Sequence, residues 1–156
     1  MEAKFYYRSP EAPTPNQPMS IGVVAFIKSN DCLLLERRMD SERWAFIGGA
    51  IQMDEDLVEG LKREVKEETG LNVRDVNLFG TFSDPSRIIA FPDGNVKRII
   101  TLAYEVEVEE DNELVCSEES RELRFLSKEE LDKIHLAETH IPILRAYLDK
   151  ERIVLE

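Results

Sequence analysis

The chain has 156 residues, room for one compact domain and too few for two ordinary ones. Its 42% hydrophobic content excludes disorder throughout, and 20 basic residues against 32 acidic ones leave a net charge of −12. That balance excludes holding a long nucleic acid by phosphate neutralisation and docking on an anionic membrane, but not binding a phosphate-bearing small molecule, because a metal ion reverses the local field.

Pro10, Pro13, Pro15 and Pro18 all stand near the start of the chain. Proline lacks an amide donor and resists helix, so residues 1–19 read as an extended arm, with Phe5, Tyr6 and Tyr7 as its apolar anchor. The stretch after Met1 is polar, unlike a signal peptide, and the longest apolar run, Ile21 to Ile27, is too short to cross a bilayer. Cys32 and Cys116 are far apart and lack partners at metal-ligand spacing, which suits a reducing cytosol. Residues 20–156 therefore read as one cytoplasmic domain.

Ile21–Ile27 and Leu33–Leu35 are expected to be strands around a Lys28-Ser29-Asn30-Asp31 turn. A helix is expected from about Asp54 to Thr69, stopped by Gly70. Val76 to Phe82 is the next strand, and Ile88–Phe91 and Val96–Val108 flank the hairpin signal Pro92-Asp93-Gly94-Asn95. In the second of these, Tyr104, Val106 and Val108 alternate with Glu105, Glu107 and Glu109, so one face is buried and one wet. Leu123–Leu126 is a short final strand. Ser127-Lys128-Glu129-Glu130 has the form of a capping box, and Pro142 to Lys150 places Leu144, Tyr147 and Leu148 on one side of a last helix. Strands mixed with a few helices indicate an α/β or α+β domain.

The segment from Trp44 to Leu71 carries the chemistry. It opens on Gly48-Gly49, where backbone can approach a ligand closely or make an unusual turn. With Glu64 set at zero on a helical wheel, Glu67 falls at about −60° and Glu68 at about +40°. The three carboxylates thus share one face, bordering the apolar stripe of Leu57, Leu61 and Val65, while Glu55, Glu59, Lys62 and Lys66 point toward solvent. Like charges about 5 Å apart repel by roughly 3 kcal/mol at an effective dielectric near 20. Hard oxygen ligands gathered at a core edge suit Mg²⁺ or Mn²⁺. A solvated, Glu-rich surface is the alternative reading of the same residues.

Gly49, five residues, Glu55, seven residues, then Arg63-Glu64-Val65-Lys66-Glu67-Glu68-Thr69-Gly70-Leu71 resembles the Nudix box at every defining position. The resemblance runs back through Leu33-Leu34-Leu35 and Arg37 to Trp44 and forward to Leu126. It implies an α/β/α sandwich around a mixed β-sheet, and a MutT-like enzyme that uses Mg²⁺ or Mn²⁺ to hydrolyse a pyrophosphate bond in a nucleoside diphosphate linked to another moiety. By the same resemblance Glu64, Glu67 and Glu68 are the metal ligands, joined by the carbonyl of Gly48. Arg63 positions the glutamates, and Glu55 pairs with helix-end or arginine groups. The base is left open among Glu67, Glu68 and an acid of the Ser117–Glu122 loop, Glu118, Glu119 or Glu122. Arg37 or Arg38, with Gly49, is expected at the substrate; Arg87, Lys97 and Arg98 are weaker phosphate candidates. Three positions depart from the usual pattern: Ile47 replaces proline, Gln52 and Asp54 replace the common Glu and Gly, and Leu61 replaces a small residue.

The substrate is less legible. Pro85 in Ser83-Asp84-Pro85-Ser86-Arg87 resembles a proline of ADP-ribose hydrolases, although Asp-Pro is also an ordinary turn starter. Phe79, Phe82, Phe91 and Tyr104 suit either base stacking or the core, and His135 and His140 are read as structural or solvated. Nucleoside triphosphates, ADP-ribose and nucleotide sugars are all expected substrates. The competing readings are a non-catalytic Nudix module that binds a nucleotide or metabolite, and removal of pyrophosphate from an RNA 5′ end. No membrane partner is expected, and the arm leaves a homodimer as one arrangement to test.

Overall fold

The computed structural model describes residues 2–110, 113–149 and 153–156. Its strands are β1 (Lys4–Tyr6), β2 (Ser20–Ser29), β3 (Cys32–Arg38), β4 (Trp44–Ala50), β5 (Val73–Phe82), β6 (Ile88–Ala90), β7 (Val96–Val108), β8 (Ser120–Leu126) and β9 (Val154–Leu155). The helices are α1 (Leu57–Thr69), α2 (Lys128–Leu131) and α3 (Ile141–Leu148), with a 3₁₀ turn over Glu138–His140 before α3. The sheet is mixed: β2 runs parallel to β7 and antiparallel to β4, and the path is β1-β6-β7-β2-β4-β3-β8, with β5 also on β7.

The long apolar run of β2 follows from burial on both faces. Val23, Ala25 and Ile27 pack with Leu34, Ile47, Leu61 and Val65 beneath α1, whereas Val24 and Phe26 pack with Phe46, Phe79, Ile143 and Ala146 beneath α3. Successive residues of a strand point to opposite faces, so one run feeds both cores. The expected helix–sheet–helix layering is the layering observed.

Several boundaries move for identifiable reasons. The glycine pair belongs to β4, pairing Val24↔Gly48 and Val23↔Gly49, and is not a turn. A side chain at Gly48 would collide with the Val23 carbonyl oxygen, so close strand approach is what requires glycine there. The box helix begins at Leu57 because Asp56 caps it: Asp56 accepts the Glu59 N–H and Glu59 accepts that of Asp56, a reciprocal capping box. Glu55 therefore precedes the helix and does not face solvent as the wheel placed it. The strand expected at Leu123–Leu126 starts at Ser120, so Arg121 and Glu122 belong to it and not to a loop, and it is not the final strand, since β9 follows. α3 ends at Leu148; the expected end at Lys150 lies outside the described residues.

The arm folds onto its own sheet, β1 pairing antiparallel with β6. Its buried anchor is Ala3 and Phe5, packed with Ala137 and Ile89, while Tyr6 and Tyr7 are only half-buried. Phe79, Phe82 and Tyr104 are core residues, and Phe91 lies against Lys97. No helix of the described residues is long and apolar enough to cross a membrane.

His140 is structural, as one of its two readings held. Its Nδ1 accepts the Phe46 backbone N–H at 3.1 Å and its ring stacks on Phe46. Burial, with Arg87 and Arg38 nearby, pushes its pKa down to about 3 from 6.5. The folded state therefore refuses a proton that the unfolded chain accepts below pH 6.5, so stability is lost as pH falls. We expect His140 to cost about 2 kcal/mol of stability between pH 8 and pH 5. Urea unfolding of wild type and His140→Asn across that range checks this: the wild type should fall more steeply, and parallel curves would contradict it.

Candidate active site

The sheet and α1 enclose a cleft of about 450 Å³ lined by Glu36, Arg38, Asp40, Gly48, Glu64, Glu68 and Glu119, among others. Glu68, 5% exposed, reaches it from the last turn of α1 and accepts the Gly48 backbone N–H at 3.0 Å. Burial, then the charges of Glu36 and Glu64, raises the Glu68 pKa far above the usual carboxylate range. Glu64 is raised more mildly by burial, which Arg63 opposes. Gly49 leaves the room that Glu64 occupies, since a Cβ there would lie 2.5 Å from Glu64 Oε1. Its observed role is thus to seat a carboxylate.

Arg63 is the clamp. Its Nε and Nη2 take both oxygens of Glu55 at 2.9 and 2.6 Å, Nη2 also donates to the Ala50 carbonyl, and Nη1 donates to Glu64 at 2.9 Å and Glu67 at 3.2 Å. Glu55 also accepts the Gln52 N–H, and its pairing with Arg63 holds its pKa down to about 2. One guanidinium thus ties the loop after β4 to α1. Glu67, with a side chain 60% exposed, sits outside the cleft lining and shares the Arg63 guanidinium with Glu55 and Glu64. Of the wheel's three acids, one is buried, one half-buried and one on the rim.

Strand parity decides between the two arginines. Arg38 follows Leu34 and Glu36 onto the α1 side and lines the cleft, where Asp40 takes its Nε and Nη2 at 2.7 and 2.6 Å. Burial disfavours the Arg38 charge, but the Asp40 pair outweighs it and keeps the guanidinium pKa above its ordinary value. Arg37 follows Leu33 and Leu35 and pairs instead with Glu42 and Glu122 at 3.7 and 4.0 Å. Arg37 and Glu122 are therefore away from the cleft lining, as is Glu118; of the three loop acids, Glu119 lines it. Among the described residues the Glu119 carboxylate has no hydrogen-bond or ion-pair partner.

Glu36 was missed from sequence. It is 4% exposed, accepts a short hydrogen bond from the Ser120 hydroxyl, and has its pKa raised to about 6, chiefly by burial. An acid directly following Leu33-Leu34-Leu35, in phase with Leu34, was the available signal. Arg87 corrects in the other direction: it is 0% exposed and donates to the carbonyls of Thr139, Phe82 and Ile99 and to the Thr101 hydroxyl. Asp84 accepts the Ser86 N–H in a turn, so the Asp-Pro segment is a turn, and neither it nor Lys97 and Arg98 line the cleft.

The donor set suits a hard divalent cation. Glu36, Glu64 and Glu68 are acids that line one cleft, and burial, then the charges of Glu36 and Glu64, raises the Glu68 pKa. No three acidic, histidine or cysteine side chains among the described residues already converge as an ion-ready set, since Arg63 and Gly48 hold the glutamates.

A family model described as the NUDIX domain matches residues 17–147. An ADP-ribose pyrophosphatase of Methanocaldococcus jannaschii is 32% identical over 123 residues, covering 78% of this chain and 68% of that protein. The nucleoside triphosphatase NudI of Salmonella typhimurium is 28% identical over 136 residues, covering 81% of this chain and 96% of its own. Among solved structures, a MutT protein from Bacillus halodurans superposes with a TM-score of 0.71 at 24% identity, covering 88% of this chain and 87% of that one. A bifunctional NMN adenylyltransferase/ADP ribose pyrophosphatase from Francisella tularensis, complexed with AMP and a Mn ion, superposes with a TM-score of 0.65 at 20% identity. That match covers 92% of this chain and 43% of the bifunctional enzyme, so the chain spans less than half of it.

Arg63→Lys keeps a charge but loses the fork that grips Glu55, Glu64 and Glu67 together. We expect it to lower kcat by about 10²-fold while thermal unfolding shifts by only a few degrees. Steady-state kinetics beside a melting curve check this, and a variant as active as wild type would refute the clamp.

Proposed function

The chain belongs to the Nudix family and is a divalent-metal-dependent hydrolase of pyrophosphate bonds in small nucleotide derivatives; within that class we propose how its residues divide the work. Glu64 and Glu68 hold the cation from inside the cleft, with Glu67 at the rim and the Gly48 carbonyl beside them, and Mg²⁺ or Mn²⁺ is the ion this oxygen set favours. When bound, the ion supplies positive charge to the phosphoryl oxygens. Arg63 is a positioning residue that fixes the glutamates, and Glu55 fixes Arg63. Arg38 binds a phosphate of the substrate, and Gly49 contributes by giving Glu64 its seat. Glu119 accepts the proton of the attacking water, because it is the cleft acid whose carboxylate is committed to no hydrogen bond among the described residues.

The observation that carries this reading is the buried Glu68 carboxylate, which lines one cleft with Glu36 and Glu64 and feels the charge of both. A binding module without catalysis needs no such crowding of acids, and the −12 charge does not favour long RNA. We take ADP-ribose and nucleoside triphosphates as the first substrates to test, because relatives named for each are similar to most of this chain. Nucleotide sugars follow. Residues 1–19 are taken as the arm and 20–156 as the hydrolase domain, in the cytoplasm; β1 pairing within its own chain makes a homodimer independent of strand exchange.

Glu68→Gln and Glu119→Gln separate the roles. We expect Glu68→Gln to lose Mn²⁺ binding, read by electron paramagnetic resonance, and at least about 10³-fold in kcat. Glu119→Gln should keep Mn²⁺ affinity and lose about 10²- to 10⁴-fold in kcat. Wild-type rates in Glu119→Gln would remove it as the base, and wild-type rates in Glu68→Gln would overturn the metal site.

A further inference from the structure

The first residues of the chain lie outside the span that the NUDIX model matches, residues 17–147, yet they end against the cleft. The Phe5 ring lies under the Arg38 guanidinium, with 5.2 Å from Cζ to the ring centroid. Two residues earlier, the Ala3 N–H donates to the Asp40 carbonyl oxygen at 3.0 Å. Asp40 is the residue whose carboxylate grips Arg38 at 2.7 and 2.6 Å. Arg38 is fixed further by its own backbone, whose N–H donates to the Arg43 carbonyl across the β3–β4 turn at 2.8 Å.

These restraints act on different parts of one cation. Asp40 holds its edge in plane, Phe5 covers a face, and the Ala3 hydrogen bond steadies the segment that carries Asp40. The arm can exert this hold because it is itself held: Ala3 and Phe5 are buried against Ala137 and Ile89, and β1 is zipped to β6 from Lys4↔Ala90 to Tyr6↔Ile88. Asp40 occupies Nε and Nη2, and Nη1 has no hydrogen-bond partner among the described residues. A guanidinium with one edge committed and one free is oriented toward an anion before the anion arrives, so little side-chain freedom is lost on binding.

We propose that the N-terminal arm is part of the active site, with Phe5 and Ala3 as positioning residues that set the Arg38–Asp40 pair for the substrate's phosphate. The proposal rests on the reading of Arg38 as a phosphate-binding cation. Phe5→Leu retains an apolar side chain and removes the ring face, and Phe5→Tyr restores the face. The measurements are KM and kcat on whichever of ADP-ribose or the nucleoside triphosphates the wild type cleaves with Mg²⁺, and Kd for ADP by calorimetry. Phe5→Leu should raise KM and Kd by about 3- to 10-fold with kcat within about twofold, Phe5→Tyr should return both to wild type, and in an Arg38→Ala background Phe5→Leu should change neither.

Equal KM and Kd in wild type and Phe5→Leu would overturn the proposal while leaving the hydrolase intact. So would an effect that persists at full size in the Arg38→Ala background, since Phe5 would then act through the fold. Loss of turnover in Glu68→Gln, measured alongside, confirms that the metal site stands independently. Unchanged Kd for ADP in Arg38→Ala would show that the reading of Arg38 itself had failed.

Discussion

Glu36, Glu64 and Glu68 are carboxylates that repel one another, and the fold presses them into one cleft away from water. Burial, then the like charges of Glu36 and Glu64, opposes ionisation of Glu68. Each acid is fixed by a neighbour that cannot follow it elsewhere: Gly48 N–H for Glu68, Arg63 for Glu64, Ser120 for Glu36. The anchors lie on three separate elements, β4, α1 and β8. Much of the architecture can be understood as the means of holding these acids in place.

The two cores serve that end differently. The core under α1 sets the helix against β2 and β4, and with it the depth of Glu68. The core under α3 holds the other face of the same strands, and the His140 bond to Phe46 locks the middle of β4 just before the glycine pair. The loop between β4 and α1 is gripped at both ends, by Arg63 on the Ala50 carbonyl and by the Glu55–Arg63 pair beside the Asp56–Glu59 capping box. A positive side chain placed among negative ones therefore works as a spacer as much as a counter-charge.

Legibility in the sequence followed how local the determining physics was. The box helix, its Gly70 stop, the Asp-Gly hairpin and the two-sided burial of Ile21–Ile27 were readable, because each depends on residues a few positions apart. What escaped depended on pairing between distant strands. Arg37 and Arg38 were indistinguishable until the parity of β3 put Arg38 on the cleft side, and Glu119 separated from Glu122 only once β8 began at Ser120. Glu36 was hidden for the same reason: an acid at the end of a strand is wet or buried according to what covers it. Arg87 looked like a phosphate ligand and is a buried tie among backbone carbonyls, which no local pattern announces.

A divalent cation bound in the cleft would offset the crowding of acids around Glu68, and the most direct test compares stability with and without one. Thermal unfolding of wild type and Glu68→Gln, at pH 8 in chelator and again in excess Mn²⁺, separates the charge from the shape of that side chain. In chelator the variant should be at least as stable as wild type, because glutamine keeps the shape of an acid whose ionised form is opposed by burial and by Glu36 and Glu64. In Mn²⁺ the wild type should gain several degrees and the variant almost none. A variant that is markedly less stable in chelator, or that gains as much from Mn²⁺ as wild type does, would contradict this account.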